Sequence, residues 1–177
     1  MWISFVGFMA SGKSSVAARL EAGTRRPRVS LDELIEERAG RSIASIFAAE
    51  GLASFRRREL EALQSLDPDR NLLVDTGGGI VETEAAVARL RANGVVIWLD
   101  CGWEDVRARL KEGPAGVRPL VQQLGWAGLE ELFRRRRPLY AAAADFRLNA
   151  TGDLEGLGRA AMHRSLVWQR QRERRGA

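Results

Sequence analysis

GFMASGKSS, residues 7–15, restricts the possible folds of this chain more than any other stretch. The spacing of Gly7, Gly12, Lys13 and Ser14 fits G-x-x-x-x-G-K-[ST]. The motif follows the apolar run WISFV, suited to a buried strand, and precedes SVAARLEA, which reads as a helix. In that setting a glycine-rich turn lets backbone N–H groups curl around phosphate oxygens, and the helix N-terminus adds partial positive charge. Ala10, Ser11, Gly12, Lys13, Ser14 and Ser15 are therefore expected around the phosphates of a nucleotide. Lys13 would reach the β/γ-phosphates and the Ser14 hydroxyl would ligate Mg²⁺. The bland alternative is a glycine-containing turn that binds nothing, and composition argues against it. Of 28 basic residues only Lys13 and Lys111 are lysine. In so arginine-biased a chain, a compact ammonium at this one position suits phosphate better than a planar fork.

The length, 177 residues, is enough for one domain with a full core, and a single P-loop domain over 1–177 is expected. No stretch of 18 apolar residues exists, so no membrane span is expected. The N-terminus goes straight into the P-loop strand, leaving no room for a signal peptide. The single cysteine, Cys101, excludes an intrachain disulfide, and the single histidine, His163, leaves no His/Cys metal cluster. These features fit a cytoplasmic enzyme whose metal is a phosphate-bound Mg²⁺. The net charge of +5 invites a nucleic-acid reading, but no nucleic-acid fold motif accompanies it. The arginines cluster at 25–28, 56–58, 134–137 and 170–175. The last cluster reads as a solvated tail, whereas the middle two sit where a small anion could be gripped.

Short apolar runs alternate with amphipathic stretches throughout. Strands are expected at 2–6, 28–30, 72–76, 95–99 and 145–149. Helices are expected at 13–22, 31–38, 42–49, 52–66, 82–92, 103–111, 128–136 and 153–172. This order is that of an α/β fold: a three-layer α/β/α P-loop core around a five-stranded parallel sheet. A small helical insertion at about 31–66 and a Gly/Pro-punctuated lid at about 112–125 interrupt the alternation. Both leave from the edge where open α/β sheets bind ligands. A cap plus a lid on such a core suits a kinase for a small acceptor, because water must be kept from the γ-phosphate.

Four further constellations carry chemistry. Asp32, in SLDELIEE at the end of the second strand, is placed to orient an acceptor hydroxyl, or else simply caps the following helix. In FRRRE, Arg56 and Arg57 differ by about 100° around the helix axis, so one or at most two of the three arginines point inward. Glu59, three residues beyond Arg56, can hold that guanidinium. In DTGGGI, the triplet Gly77, Gly78 and Gly79 permits either a close backbone approach or φ > 0. Arg118, in GVRPL, is expected to swing onto the transferring phosphoryl group. Pro119 and Pro138 are each expected to end a helix or stiffen a loop.

Together, GFMASGKSSV, LDELIEERAGRSIASIF, FRRRE, TGGGIV, GVVIWLD, RPL and RRPLYAAAAD resemble the shikimate kinases, within the nucleoside-monophosphate-kinase-like P-loop proteins. The resemblance runs in order over nearly the whole chain, and the segment from IEERAGRSIASIF through FRRRE to TGGG is specific to that family. It implies ATP-dependent phosphorylation of the shikimate 3-hydroxyl, giving shikimate 3-phosphate and ADP for aromatic amino-acid synthesis. The alternatives are a kinase of the same fold acting on another small hydroxy-acid or sugar, and a catalytically weakened nucleotide-binding relative. By position, Asp32 resembles the substrate-binding carboxylate and base, and Arg56 and Arg136 the pair that grips the shikimate carboxylate. Gly77–Gly79 resemble the triplet whose N–H groups touch the substrate, Phe47 and Phe55 would wall the acceptor pocket, and Arg118 resembles the lid arginine. For adenine, Arg107, Arg109 and Lys111 are the candidates. The implied partners are shikimate and ATP, with no nucleic acid or membrane, and a monomer.

Two departures stand out. Ala10 replaces a glycine usual in the family's P-loop, and the cradle is expected to survive if φ stays negative. Ser30 breaks the family's D-x-D, whose first Asp holds Mg²⁺ through water. Asp75, at the end of LLVDT, either supplies that charge from the neighbouring strand or caps a turn.

Overall fold

The computed structural model describes residues 1–112 and 119–176. A sheet of five parallel strands, in the order β2-β3-β1-β4-β5, forms the centre: β1 (Trp2–Val6), β2 (Arg28–Ser30), β3 (Leu73–Asp75), β4 (Gly94–Asp100) and β5 (Phe146–Asn149). Every residue of β1, β3 and β4 is buried, so both faces of the sheet are covered, as continuously apolar parallel strands require. The helices are α1 (Lys13–Gly23), α2 (Leu31–Ala39), α3 (Ile43–Gln64), α4 (Glu84–Asn93), α5 (Trp103–Glu112), α6 (Pro119–Ala143) and α7 (Leu154–Gly176). None of the described helices is long and apolar enough to cross a membrane.

The segments α2 and α3 lie between β2 and β3, within the span expected for the helical insertion. Ser30 caps α2, its side chain accepting from the Glu33 N–H at 3.3 Å, so Asp32 is not the capping residue. The two helices expected at 42–49 and 52–66 lie end to end within α3 and meet at Gly51, which leaves the helical conformation at φ 75°. The α6 helix is much longer than the expected 128–136. It is broken at Gly125, which is non-helical at φ 63°, and its second part carries Pro138 inside it, where the end of a helix or a stiffened loop was expected. Packing of its buried residues outweighs the lost backbone hydrogen bond. Of the expected lid, 119–124 are helical, and 113–118 lie outside the described residues.

The register fixes where the chemistry gathers. Strand β1 is central, with Phe5 beside Asp75 on one side and Ile97 on the other, and Asp75 is also the direct partner of Ser30. The turn after β1, the N-terminus of α2 and the glycine triplet after β3 therefore emerge side by side at one sheet edge.

Candidate active site

The turn after β1 wraps one wall of a cavity of about 550 Å³, lined by Ala10 to Ser15 and, across from them, by Arg109, Gly152 and Leu157. Lys13 opens α1 and is only 8% exposed, its ammonium donating to the Phe8 carbonyl at 3.0 Å. Gly12 takes φ 92°, and Ala10 takes φ 60°. The negative φ expected for Ala10 does not occur: the turn needs a left-handed residue here, and the alanine methyl bears it at about 1 kcal/mol. The Arg109 guanidinium ties the cradle together, donating to the carbonyls of Ala10 (3.1 Å) and Ala150 (2.7 Å). Lys111 does not line this cavity. It and Arg107 lie over the Trp126 ring, each 5.8 Å from its centre. Positions 107 and 111 share a helix face, whereas 109 and 111 differ by about 200° around the axis. Arg118 lies outside the described residues.

A second cavity, of about 430 Å³, adjoins the first: Met9 lines this one and Ala10 the other. Asp32, Phe47, Phe55, Arg56, Gly77–Gly79 and Arg136 all face it. The Phe47 and Phe55 rings pack 4.5 Å apart and form an apolar wall. Of the FRRRE arginines only Arg56 enters. Arg58 turns to Glu50 at 2.9 Å, and Arg57 is exposed, as helical spacing demands. The RRRR cluster on α6 divides likewise. Arg134 pairs with Glu130 and Arg137 with Asp100, while Arg136 is buried at 4% exposure.

Arg56 is held by Glu59, which is 1% exposed. Its other terminal nitrogen donates to Glu82 Oε2 at 2.8 Å, and Arg136 donates to that same oxygen at 2.8 Å. The two guanidiniums thus converge on one carboxylate oxygen. Burial opposes the charge of Glu82, but the hydrogen bonds and charges of Arg136 and Arg56 prevail and pull its carboxyl down to about 2. Glu82 was not singled out in the sequence, because its partners are 26 and 54 residues away and nothing local marks it.

The three glycines take no positive φ, so their function is close approach rather than an unusual backbone. A methyl on Gly77 would lie 2.5 Å from Glu59 Oε1 and 3.2 Å from Asp32 Oδ1. One on Gly78 would lie 3.4 Å from the Met9 nitrogen, and one on Gly79 would overlap the Arg56 guanidinium. Tyr140, also missed in the sequence, fixes the triplet by donating its hydroxyl to the Gly78 carbonyl.

Burial pushes the Asp32 carboxyl above the usual carboxylate range. Lys13 and Arg56 pull it down, and Asp75 and Glu36 push it further up. Burial likewise raises the Glu59 carboxyl, against the pull of Arg56. Asp75 is buried beside Ser30 in the register, with Arg28 4.0 Å from its carboxylate. Among the described residues no group of three or more His, Cys, Asp or Glu side chains could hold a metal on its own.

Comparison with known proteins places this geometry. The family model for shikimate kinase matches residues 9–164. The shikimate kinase of Synechococcus sp. (strain JA-3-3Ab) is 44% identical over 142 residues, covering 80% of this chain and 74% of that protein. That of Symbiobacterium thermophilum is 42% identical over 149 residues, covering 84% and 86%. The solved shikimate kinase of Acinetobacter baumannii, a complex with shikimate, superposes with a TM-score of 0.86 at 28% identity, covering 94% of this chain and 93% of that one. A family model that spans most of the chain and relatives 44% and 42% identical show that this chain belongs to the shikimate kinase family.

Proposed function

We propose that this enzyme transfers the γ-phosphoryl group of ATP to the 3-hydroxyl of shikimate, with the nucleotide in the larger cavity and shikimate in the smaller. The observation that carries this reading is that Arg56 and Arg136, which line one cavity with Asp32, converge on a single carboxylate oxygen. Two forked cations aimed at one point suit a monocarboxylate acceptor. Asp32, raised by its burial, is placed to accept the hydroxyl proton as the oxygen attacks. The N–H groups of Gly77–Gly79 and the phenylalanine wall orient the ring. Lys13 and the backbone of the cradle stabilise charge on the moving phosphoryl group, and Arg118 adds to that from beyond the described residues. Because the two cavities meet at Met9 and Ala10, the transfer is direct, and its acceleration comes chiefly from positioning and fixed charge.

Mg²⁺ fits the donors present. The Ser14 hydroxyl borders the nucleotide cavity, and Asp75 supplies a hard oxygen charge next to Ser30. Ser14 and Asp75 would hold the ion, the latter through water, and when bound it would neutralise charge on the β- and γ-phosphates.

The test is ADP release measured with and without shikimate. Turnover should depend on shikimate, and Arg136→Ala should raise the KM for shikimate about a hundredfold while leaving that for ATP near its original value. Turnover indifferent to shikimate, or preferring an uncharged polyol, would overturn the assignment.

A further inference from the structure

The guanidiniums of Arg56 and Arg136 already have a carboxylate ligand. Glu82 Oε2 accepts from both at 2.8 Å, and Arg135 donates to Glu82 Oε1 at 3.2 Å. Glu82 ends a short 3₁₀ turn (Ile80–Glu82) that begins directly after the glycine triplet, which itself lines the cavity. With Glu59 also on Arg56, the three guanidiniums share two carboxylates before any acceptor arrives. A ligand carboxylate that takes the Arg56 and Arg136 Nη2 donors must displace the carboxylate now bound to them. Glu59 is enclosed at 1% exposure and cannot turn away, whereas the Glu82 side chain is 20% exposed and can turn toward solvent. The buried Nε atoms of Arg56 and Arg136 have no hydrogen-bond partner, leaving donors for an arriving ligand.

We propose that Glu82 is a specificity-determining residue of this cavity: a resident carboxylate that the acceptor's own carboxylate must displace from Arg56 and Arg136. The exchange is nearly balanced for an acceptor that brings a carboxylate, because each broken charge-assisted hydrogen bond is replaced by another of the same kind. An uncharged polyol offers no such replacement and leaves Glu82 in place, so the two arginine donors that Glu82 occupies are not available to it. Without Glu82 the bare cation pair would bind any small carboxylate more strongly, with less discrimination. The inference rests on the acceptor assignment above only in placing that carboxylate at this pair.

Titrating the full chain with cyclohexanecarboxylate, a monocarboxylate without hydroxyls, reads the exchange by itself, whether or not shikimate proves to be the acceptor. Glu82→Gln should bind this probe about tenfold more tightly than the parent, the equivalent of about one charge-assisted hydrogen bond no longer surrendered. The KM for shikimate should fall by a similar factor while that for ATP does not move. The variant's melting temperature, lowered by the unpaired cations, should rise more with the probe than the parent's does. Weaker or equal binding of the probe in both Glu82→Gln and Glu82→Ala would overturn the proposal and make Glu82 a strut for the arginines. Should neither variant fold, a structure of the parent with shikimate decides: Glu82 displaced from both guanidiniums supports the exchange, and Glu82 still on both refutes it. Failure of shikimate turnover with tighter probe binding in the variants would count against the acceptor assignment alone.

Discussion

Asp32 has its carboxyl raised by burial and by the nearby charge of Asp75, so the acidic limb of kcat/KM should lie above the ordinary aspartate value of about 3.9. Activity is lost as pH falls through that point, because the protonated carboxyl cannot accept the hydroxyl proton. Asp75→Asn removes a negative charge that favours the protonated form, so the limb should move to lower pH. The same variant should need more Mg²⁺ for half-maximal rate. A pH–rate profile and a metal titration check both, and a limb that stays or moves upward counts against the charge assignment. Lys13, Asp32 and Arg56 were legible in the sequence because motif spacing, strand ends and helical periodicity are local. Glu82 was not, since its partners are fixed only by the approach of α3 and α6. Ala10 shows the converse: the motif located it correctly, but the left-handed turn it must adopt is set by the surrounding backbone.

At the scale of elements, the strands were read to within about a residue at each end, because continuously apolar runs bounded by turn residues leave little choice. Helix α6 was underestimated. Pro138 was expected to end a helix or stiffen a loop, yet the helix continues through it, with Arg136 and Tyr140 held by the glycine triplet and Glu82 across the cavity, while at Gly125 the backbone leaves the helical conformation. Propensity is a weak guide where tertiary packing is strong. The triplet itself is a packing device. Gly79 has φ −102°, which any residue can adopt, so Gly79→Ala acts only through its new methyl. That methyl displaces the Arg56 guanidinium, and the KM for shikimate should rise about tenfold or more with ATP affinity unchanged. Steady-state kinetics on both substrates separate this from general damage, which would move both constants.

Across the whole molecule, the sheet order puts three chain segments distant in sequence at one edge, and the division of labour between the two cavities follows from that order. The parallel alternation predicted such an edge, but neither the strand order nor the partners of the arginine clusters could be read from the chain. The near-total choice of arginine over lysine has a practical corollary. Acylating reagents that attack unprotonated amines find two lysines and the amino terminus. Lys13 is enclosed in the cradle, while Lys111 lies on Trp126 and Met1 sits beside Asn71, both outside the linings of the two cavities. Burial and then Arg26 lower the terminal amine, which favours its reaction. Mild succinimidyl ester coupling should therefore tether the enzyme to a surface at position 1 or 111 with both cavities open, and peptide mapping that finds Lys13 acylated first would contradict the enclosure.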